Sequence, residues 1–215
     1  MASGNAPPGF NPPLQARSRA ALQRILVAAE QVLAATGFDE FTMAAVADRA
    51  GLSVGAIYRR FEGKEQLLNA VKDRLLARVE EDITVALGAV DGGLSEVVDA
   101  FTRSLADGFS AGAHVIPHVV GKSRGTESSE RSRRALEHIE RLFLASAMAH
   151  AGEIRRAEPL AALLVAFRTI TAACVHRTVT LHVWPDGISW NRWSQQVADM
   201  ATVYLTSPER EDRPA

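Results

Sequence analysis

Apolar residues recur at helical spacing along most of the 215-residue chain. One stripe runs in three- and four-residue steps from Leu22 to Leu33 and stops before Gly37, a residue type that favours helix C-termini. A second stripe from Leu67 to Ile83 predicts a longer helix. No run alternates apolar and polar residues as a half-buried strand does, so the sequence predicts an all-α protein. Further helices are predicted near 94–110, 127–150, 158–182 and 189–206.

The two ends of the chain lack this periodicity. Residues 1–13 contain four prolines and no charged side chain, which is typical of a disordered arm. Residues 207–215 are charged and poor in apolar side chains, so they are predicted to form a tail. Around Pro117 the sequence is compatible with a short helix or with an extended connection.

The composition of the chain indicates where the protein is located in the cell and how charge is distributed along the sequence. The chain has one cysteine, Cys174, and its N-terminus lacks the basic and apolar blocks of a signal peptide. It also has no stretch of about 18 uninterrupted apolar residues, so we expect a cytoplasmic protein that does not enter a membrane. The net charge of −1 combines residues 14–78, with ten basic and seven acidic side chains, and residues 79–215, with fourteen and eighteen. The N-terminal part is therefore mildly basic (+3) and the remainder acidic (−4).

Residues 42 to 61 have the signals of two short helices joined by a tight turn. Thr42 is a favourable N-cap for a helix through Ala50, and Gly51 follows where a positive φ is needed. Ser53 is then predicted to cap a second helix that runs to about Phe61. This order of cap, helix, glycine and cap predicts a helical hairpin.

The spacing of Ala47, Gly51 and Ile57 is the spacing of a helix-turn-helix motif. It provides a small residue at the helix crossing, a glycine in the turn and an aliphatic residue under the second helix. A hairpin from an unrelated bundle, with its arginines in solvent, is the alternative, but the agreement of caps, turn and apolar positions favours DNA binding. The residues expected to face inward are Val46, Leu52, Ile57 and Phe61; those expected to face outward are Val54, Gly55, Ala56, Tyr58, Arg59 and Arg60.

Residues from about 17 to 71 resemble the DNA-binding region of the TetR (tetracycline-repressor) family of bacterial regulators. The resemblance lies in Thr36-Gly-Phe38, Phe41-Thr42, Val46-Ala47-x-x-Ala50-Gly-Leu-Ser53, Gly55-Ala-Ile-Tyr58, Phe61 and Lys64-Glu-x-Leu-Leu68. It implies a three-helix helix-turn-helix domain over 14–65, joined to a larger helical ligand-binding and dimerisation domain over 66–206.

The resemblance also implies roles for individual residues. Thr42 and Lys64 would contact phosphates, Tyr58 would contact the DNA backbone, and the start of the second helix would approach bases. The chain departs from many relatives at residues 54, 56, 59 and 60, which favours thymine-methyl and arginine–guanine contacts. Arg59 and Arg60 point about 100° apart on a helix, so we expect one to read a base and the other a phosphate. The predicted DNA-binding residues are Arg17, Arg19, Thr42, Ser53, Val54, Gly55, Ala56, Tyr58, Arg59, Arg60 and Lys64.

The last two predicted helices, at about 158–206, are rich in small and aliphatic residues. The resemblance implies that they pair with their copies in a homodimer, and a short recognition helix independently favours two half-sites. A small-molecule cavity is expected inside the helices between 94 and 182, for an apolar or aromatic effector. Its predicted lining is Phe101, Phe109, Phe143, Phe167 and His176, with His114 and His118 as polar groups.

These features predict a repressor that leaves a palindromic double-stranded operator when the effector binds. The alternatives are a ligand-independent activator and a helical interaction protein without DNA binding. No serine lies in a nucleophile-elbow sequence, so an enzyme is not expected. His114 and His118 have the spacing of a helical metal pair but lack an evident third ligand, so neither a metal nor another cofactor is predicted.

Overall fold

The computed structural model describes residues 14–116 and 127–209, with side chains for 16–116 and 130–209. No strand occurs in these two ranges, which confirms the all-α prediction. A short 3₁₀ turn at Ala151–Glu153 accompanies the α-helices. These are α1 (Leu14–Thr36), α2 (Met43–Ala50), α3 (Val54–Tyr58), α4 (Lys64–Gly88), α5 (Leu94–Ala111), α6 (Glu127–Met148), α7 (Pro159–Thr180) and α8 (Trp190–Thr206).

Most helix ends lie within two residues of the predicted ones, because local signals set them. Gly37 follows α1 with φ of 72°, and Pro159 occupies the first position of α7, where its missing N–H costs nothing. Two ends differ more: α3 ends at Tyr58 rather than near Phe61, and α4 continues to Gly88, five residues past the predicted stripe. The predicted arm (1–13), the stretch around Pro117 and residues 210–215 of the tail lie outside the described residues.

The chain divides into two compact units, with the division between Val71 and Lys72. This division lies inside α4, whereas the sequence placed the domain boundary at 65/66. In the N-terminal unit, α1 packs on α2 and α2 packs on α3. The buried side chains of this unit include Ile25, Leu33, Phe41, Val46, Ile57, Phe61 and Leu67.

The C-terminal unit is a bundle in which α5 packs along α8 and also contacts α6 and α7. Helix α7 lies against α5, α6 and α8, so its inner face forms much of the core. The buried residues of α7 follow helical steps, as a single packed face requires. They include Leu163, Phe167, Ile170 and Cys174.

A buried arginine ties the connection between α7 and α8 to the bundle. The Arg177 guanidinium is paired with the Asp186 carboxylate and donates a hydrogen bond of 2.6 Å to the Ile188 carbonyl oxygen. It also lies 4.9 Å and 5.1 Å from the ring centroids of Trp190 and Trp193. Because a buried cation needs such partners, these contacts fix the path of the chain into α8.

Of the helices in the described ranges, α7 is the one long and apolar enough to cross a membrane by length and composition. Only 33% of its most apolar stretch is buried within the chain, although its inner face is core. Helix α7 therefore has more apolar residues than are buried in the core of one chain.

Gly108 sets the distance between α5 and α4 in the C-terminal unit. A Cβ atom added at Gly108 would overlap Cγ2 of the buried Val79 side chain. We expect Gly108→Val to lower the free energy of unfolding by roughly 1–3 kcal/mol, because overpacking forces the helices apart. Urea unfolding followed by circular dichroism measures the change.

Gly88→Ala, at the open end of α4, is the matched control, because an added Cβ there meets nothing within 4 Å. It should alter stability by less than about 0.5 kcal/mol. If Gly108→Val were as stable as the control, the close approach of α4 and α5 would be refuted.

Candidate functional site

Two side-chain caps and one glycine define the helix-turn-helix region. Thr42 Oγ1 accepts a hydrogen bond of 3.1 Å from the Ala45 N–H, and Ser53 Oγ accepts one of 3.2 Å from the Ala56 N–H. Gly51 has φ of 63° and ψ of 41°, a conformation that costs L side chains energy. The predicted caps and the predicted turn are therefore present, each at the residue identified from the sequence.

Helix α3 is held in place by packing, since five residues are too few for an independently stable helix. Ile57 is fully buried, and Val46, Ala47 and Phe61 are buried around it in the same unit. Leu52 is half-buried beside the turn. The inward positions predicted for this motif thus anchor α3 through its apolar side.

The opposite side of α3 is open to solvent. Val54 is 41% and Tyr58 53% exposed, and Gly55 and Arg59 are exposed beside them. These four residues, the α3 surface, span about 140° of the helix at about 100° per residue. The α3 surface therefore presents a thin apolar edge, a gap without a side chain, a phenol and a guanidinium in one short arc.

The outward placement predicted for Ala56 is wrong, because only 8% of this residue is exposed. Residues 56 and 57 occupy the arc opposite residues 54, 55, 58 and 59 at about 100° per residue. Since Ile57 must be buried, Ala56 is buried with it. Its small side chain lets the helix lie close to its neighbours.

The two adjacent arginines differ in their surroundings. Arg59 is exposed, whereas Arg60 is half-buried. Nη1 of Arg60 donates to the Ala56 carbonyl oxygen at 3.3 Å, and Nη2 lies 3.5 Å from Ser18 Oγ of α1. Both side chains were predicted to face outward. Arg59 does so, whereas the Arg60 side chain contacts residues of its own unit.

Lys64, at the start of α4, is attached to the turn that follows α1. Its Nζ donates a 2.6 Å hydrogen bond to the Phe38 carbonyl oxygen and lies 4.1 Å from the Phe38 ring centroid. The Phe41 ring centroid is 5.5 Å away. One of its three N–H donors is therefore used within the unit. Of the other predicted candidates, Thr42 is exposed at the start of α2, and Arg17 and Arg19 are exposed in the first turns of α1.

Three of the aromatic residues predicted to line a cavity form a solid core instead. The ring centroids of Phe101, Phe143 and Phe167 lie 4.5 to 6.1 Å apart, and all three side chains are fully buried. They do not belong to the wall of the cavity described below. The reason is that each ring fills the space beside the other two, leaving no room for a ligand.

A cavity of about 280 Å³ lies in the C-terminal unit among α4, α5, α6 and α7. Phe109 is in its wall, as predicted. His114 and His176 are both exposed and do not belong to the described wall, and His118 lies outside the described residues. Most of the wall is aliphatic, with contributions from Leu75, Val79, Leu105, Ile139 and Val175.

Helix α4 contributes to the cavity although the lining was predicted between residues 94 and 182. Lys72, Leu75 and Val79 of α4 all line it. A signal was present in the sequence: Lys72 lies four residues after Leu68 and three before Leu75, so a charge interrupts an apolar stripe. A buried lysine within such a stripe is a candidate for a polar contact.

The described residues offer no metal site and no reactive thiol. Within 14–116 and 127–209, no three His, Cys, Asp or Glu side chains are grouped so as to hold a metal ion. Burial raises the pKa of Cys174 to about 12, with the nearby Arg177 charge acting in the opposite direction. Because the thiolate is the reactive form, this thiol is a core residue.

Comparison with known proteins supports the interpretation of the N-terminal unit. Residues 25–71 match the sequence model of the family described as bacterial regulatory proteins, tetR family. The HTH-type transcriptional regulator TtgW of Pseudomonas putida, itself uncharacterized, is 37% identical over 73 residues, which are 34% of this chain and 54% of that protein. SrpR of Pseudomonas putida, also an HTH-type transcriptional regulator, is 39% identical over 66 residues, 31% of each chain. The matches thus span about half and about a third of these relatives.

The solved structures extend the likeness of fold to both units. A regulator assigned to the TetR family from Mesorhizobium loti MAFF303099 superposes with a TM-score of 0.70 at 17% identity, covering 88% of this chain and 96% of that one. The transcriptional regulator FadR of Bacillus subtilis, in complex with stearoyl-CoA, has a TM-score of 0.65 at 17% identity, covering 85% and 98%. At such identities these structures support the fold.

The contact of Lys64 with Phe38 stabilises the N-terminal unit. We expect Lys64→Met to lower the free energy of unfolding of this unit by roughly 1–2 kcal/mol, since it removes a charged hydrogen bond and a cation–π contact. Guanidinium unfolding followed by hydrogen exchange of the α1 and α4 amides measures it.

Arg49→Met is the control, because it removes an exposed basic side chain from α2 of the same unit. It should change stability by less than about 0.5 kcal/mol. Equal effects of the two variants would contradict a stabilising role for Lys64.

Proposed function

Because residues 25–71 match the sequence model of the TetR family of bacterial regulatory proteins, we propose that the chain is a homodimeric repressor of this family, which leaves a palindromic operator when a small apolar ligand binds. The observation that carries the proposal is the α3 surface, held on a buried Ile57 and capped by Ser53. In this proposal the unit ending at Val71 binds DNA, and the unit beginning at Lys72 binds the ligand and a second copy. The protein then acts on DNA in the cytoplasm.

The chemistry of the α3 surface suits the major groove. Gly55 leaves its neighbourhood open, with nothing within 4 Å of an added Cβ, so the helix can come close to base edges. The Val54 methyl groups suit a thymine methyl, and the exposed Arg59 suits the two acceptors of guanine. Tyr58 and Thr42, exposed beside them, suit phosphate oxygens. Arg60, held against Ser18 and its own helix, suits the phosphate role rather than base reading.

Exposed apolar residues on α7 and α8 support a dimer formed through these helices. Leu160 and Val165 of α7 and Met200 and Val203 of α8 are each more than half exposed. Only a third of the most apolar stretch of α7 is buried within one chain, and a second copy packed on it would cover the remainder. A two-fold pair also supplies the two recognition helices that a palindrome needs.

The cavity supports a ligand that acts by population shift. A largely aliphatic wall suits an apolar effector, and FadR, a protein of similar fold, was solved with stearoyl-CoA. In the proposed mechanism, the dimer exists with two spacings of its recognition helices, and the ligand binds better to the spacing that mismatches the operator. By linkage, ligand and DNA then weaken each other's binding by the same factor.

Selection of genomic fragments by the purified protein tests the function directly. We expect recovered fragments to share a palindromic sequence, and an effector screen to find small molecules that release them. Recovery without a palindrome would refute the two-fold arrangement. Failure to retain DNA even at low salt would favour the alternative of a helical interaction protein without DNA binding. Activation of a reporter from the recovered site, unchanged by ligands, would indicate the activator alternative.

Arg59 should contribute to both affinity and base preference. On the recovered operator we expect Arg59→Ala to cost about 1–3 kcal/mol of binding free energy and to relax preference at one base pair, because a bidentate guanine contact is lost. Arg60→Ala should weaken all sequences alike, and Arg49→Ala should have little effect. Fluorescence anisotropy with single-base operator variants measures this, and equal, sequence-independent losses for Arg59→Ala and Arg60→Ala would refute the assignment.

A charge placed on the apolar face of α8 should separate the proposed dimer. We expect the native protein to have twice the chain mass of 23.2 kDa in light scattering. Met200→Asp should shift it towards the monomer, because burying an unpaired carboxylate costs several kcal/mol. Val85→Asp, on the exposed side of α4, is the control and should stay dimeric. A monomeric native protein, or one recovered with membranes, would contradict the proposed interface.

A further inference from the structure

The cavity of the C-terminal unit has a basic group in an otherwise aliphatic setting. Of the described residues in its wall, Lys72 is the ionisable one, and its side chain is almost completely buried. The other polar residues in the described wall are Ser132 and Thr171. Thr171 Oγ1 donates a 2.8 Å hydrogen bond to the Phe167 carbonyl oxygen of its own helix, so its proton is already used.

Lys72 is the basic group of the described cavity wall, and its surroundings act on its pKa in opposite directions. Burial lowers the pKa of Lys72; the Arg131 charge lowers it further, while Asp73, next in the chain and exposed, raises it. Arg131 is itself paired with Glu80, so its charge is largely offset. An apolar wall strengthens the attraction between a buried ammonium and an anion, because the surroundings screen charge less than water does.

We propose that this cavity binds a small carboxylate amphiphile, with its carboxylate paired with Lys72 and its aliphatic body against the α4, α5, α6 and α7 side chains. An ammonium has three N–H donors, so a ligand carboxylate can accept one of them beside the contacts that Lys72 makes within the protein. The aliphatic wall provides no comparable polar partner for the rest of the molecule. A volume of about 280 Å³ is at the lower end for ligand pockets, which favours a medium-chain acid over a long one.

This inference rests on the proposed function only in naming the ligand as the effector, since binding to the cavity needs no DNA. The test is isothermal titration calorimetry of the full chain with three probes of equal length: decanoate, decanol and decylamine. Each is used below its micelle concentration. We expect decanoate to bind about 30-fold or more tightly than decanol, and decylamine to bind least, because the wall charge is positive.

Lys72→Met keeps the length and apolar character of the side chain and removes its charge. We expect it to weaken decanoate by about 30-fold or more, while decanol binds as well as before. Arg141→Met, which removes an exposed arginine of α6 outside the described cavity wall, is the control and should leave both affinities unchanged. Should Lys72→Met not fold by circular dichroism, the order of the three probes on the native protein decides.

Three outcomes overturn the inference: no binding of decanoate, equal binding of decanol and decanoate, or unchanged decanoate binding in Lys72→Met. Gel-shift assays with genomic fragments, without any probe, keep the two proposals separate. Loss of DNA retention with intact decanoate binding refutes the repressor and leaves the carboxylate site in place. DNA retention without decanoate binding refutes the carboxylate site and leaves the proposed repressor in place.

Discussion

The structure depends on burying one apolar stripe along α4. Six residues of this helix at four-residue steps are buried, and the charged side chains of Asp73, Glu81 and Asp82 are exposed between them. Four residues advance an α-helix by about 400°, so the buried face turns by only about 40° at each step. The first two members belong to the N-terminal unit and the other four to the C-terminal unit, so this helix contributes buried residues to each core. The six residues are Leu67, Val71, Leu75, Val79, Ile83 and Leu87.

The helix-turn-helix region was predictable from the sequence because its determinants are local. Each cap acts three residues along the chain, and the left-handed turn requires a property that Gly51 alone of its neighbours has. Ala56 was placed wrongly because alanine is compatible with either side of a helix. Its direction follows from the helical angle to Ile57, which the sequence also contained. Helix α3 ends at Tyr58 with Arg59 as its C-cap, so neither glycine nor proline marks its end in the sequence.

The cavity was less predictable from the sequence because it depends on how the side chains of four helices pack against one another. Composition identifies apolar side chains, but their pairing decides which become core. Phe101, Phe143 and Phe167 complement one another, whereas the aliphatic residues near Gly108 surround a space. Gly108 brings α5 close to Val79, and both residues belong to the cavity wall. Lys72 was detectable as a charge within an apolar stripe, but its exposure to a cavity depended on this three-dimensional arrangement.

The charge distribution explains why the proposed function needs two copies of the chain. Up to Val71, where the structure ends the N-terminal unit, the chain has seven basic and six acidic side chains, a net charge of +1 rather than the +3 of residues 14–78. Two of the seven cations of this head already have contacts within the unit. Arg60 donates to a carbonyl oxygen of α3, and Lys64 donates to the Phe38 carbonyl oxygen. Each phosphate neutralised contributes a slope of about −0.9 to the dependence of log affinity on log salt, so one head with few available cations has a shallow slope and a low affinity. Two heads on one palindrome double the phosphate contacts without a more basic chain. An acidic C-terminal unit also limits non-specific attraction to DNA, so discrimination in the proposed repressor rests on Arg59 and the shape of the α3 surface.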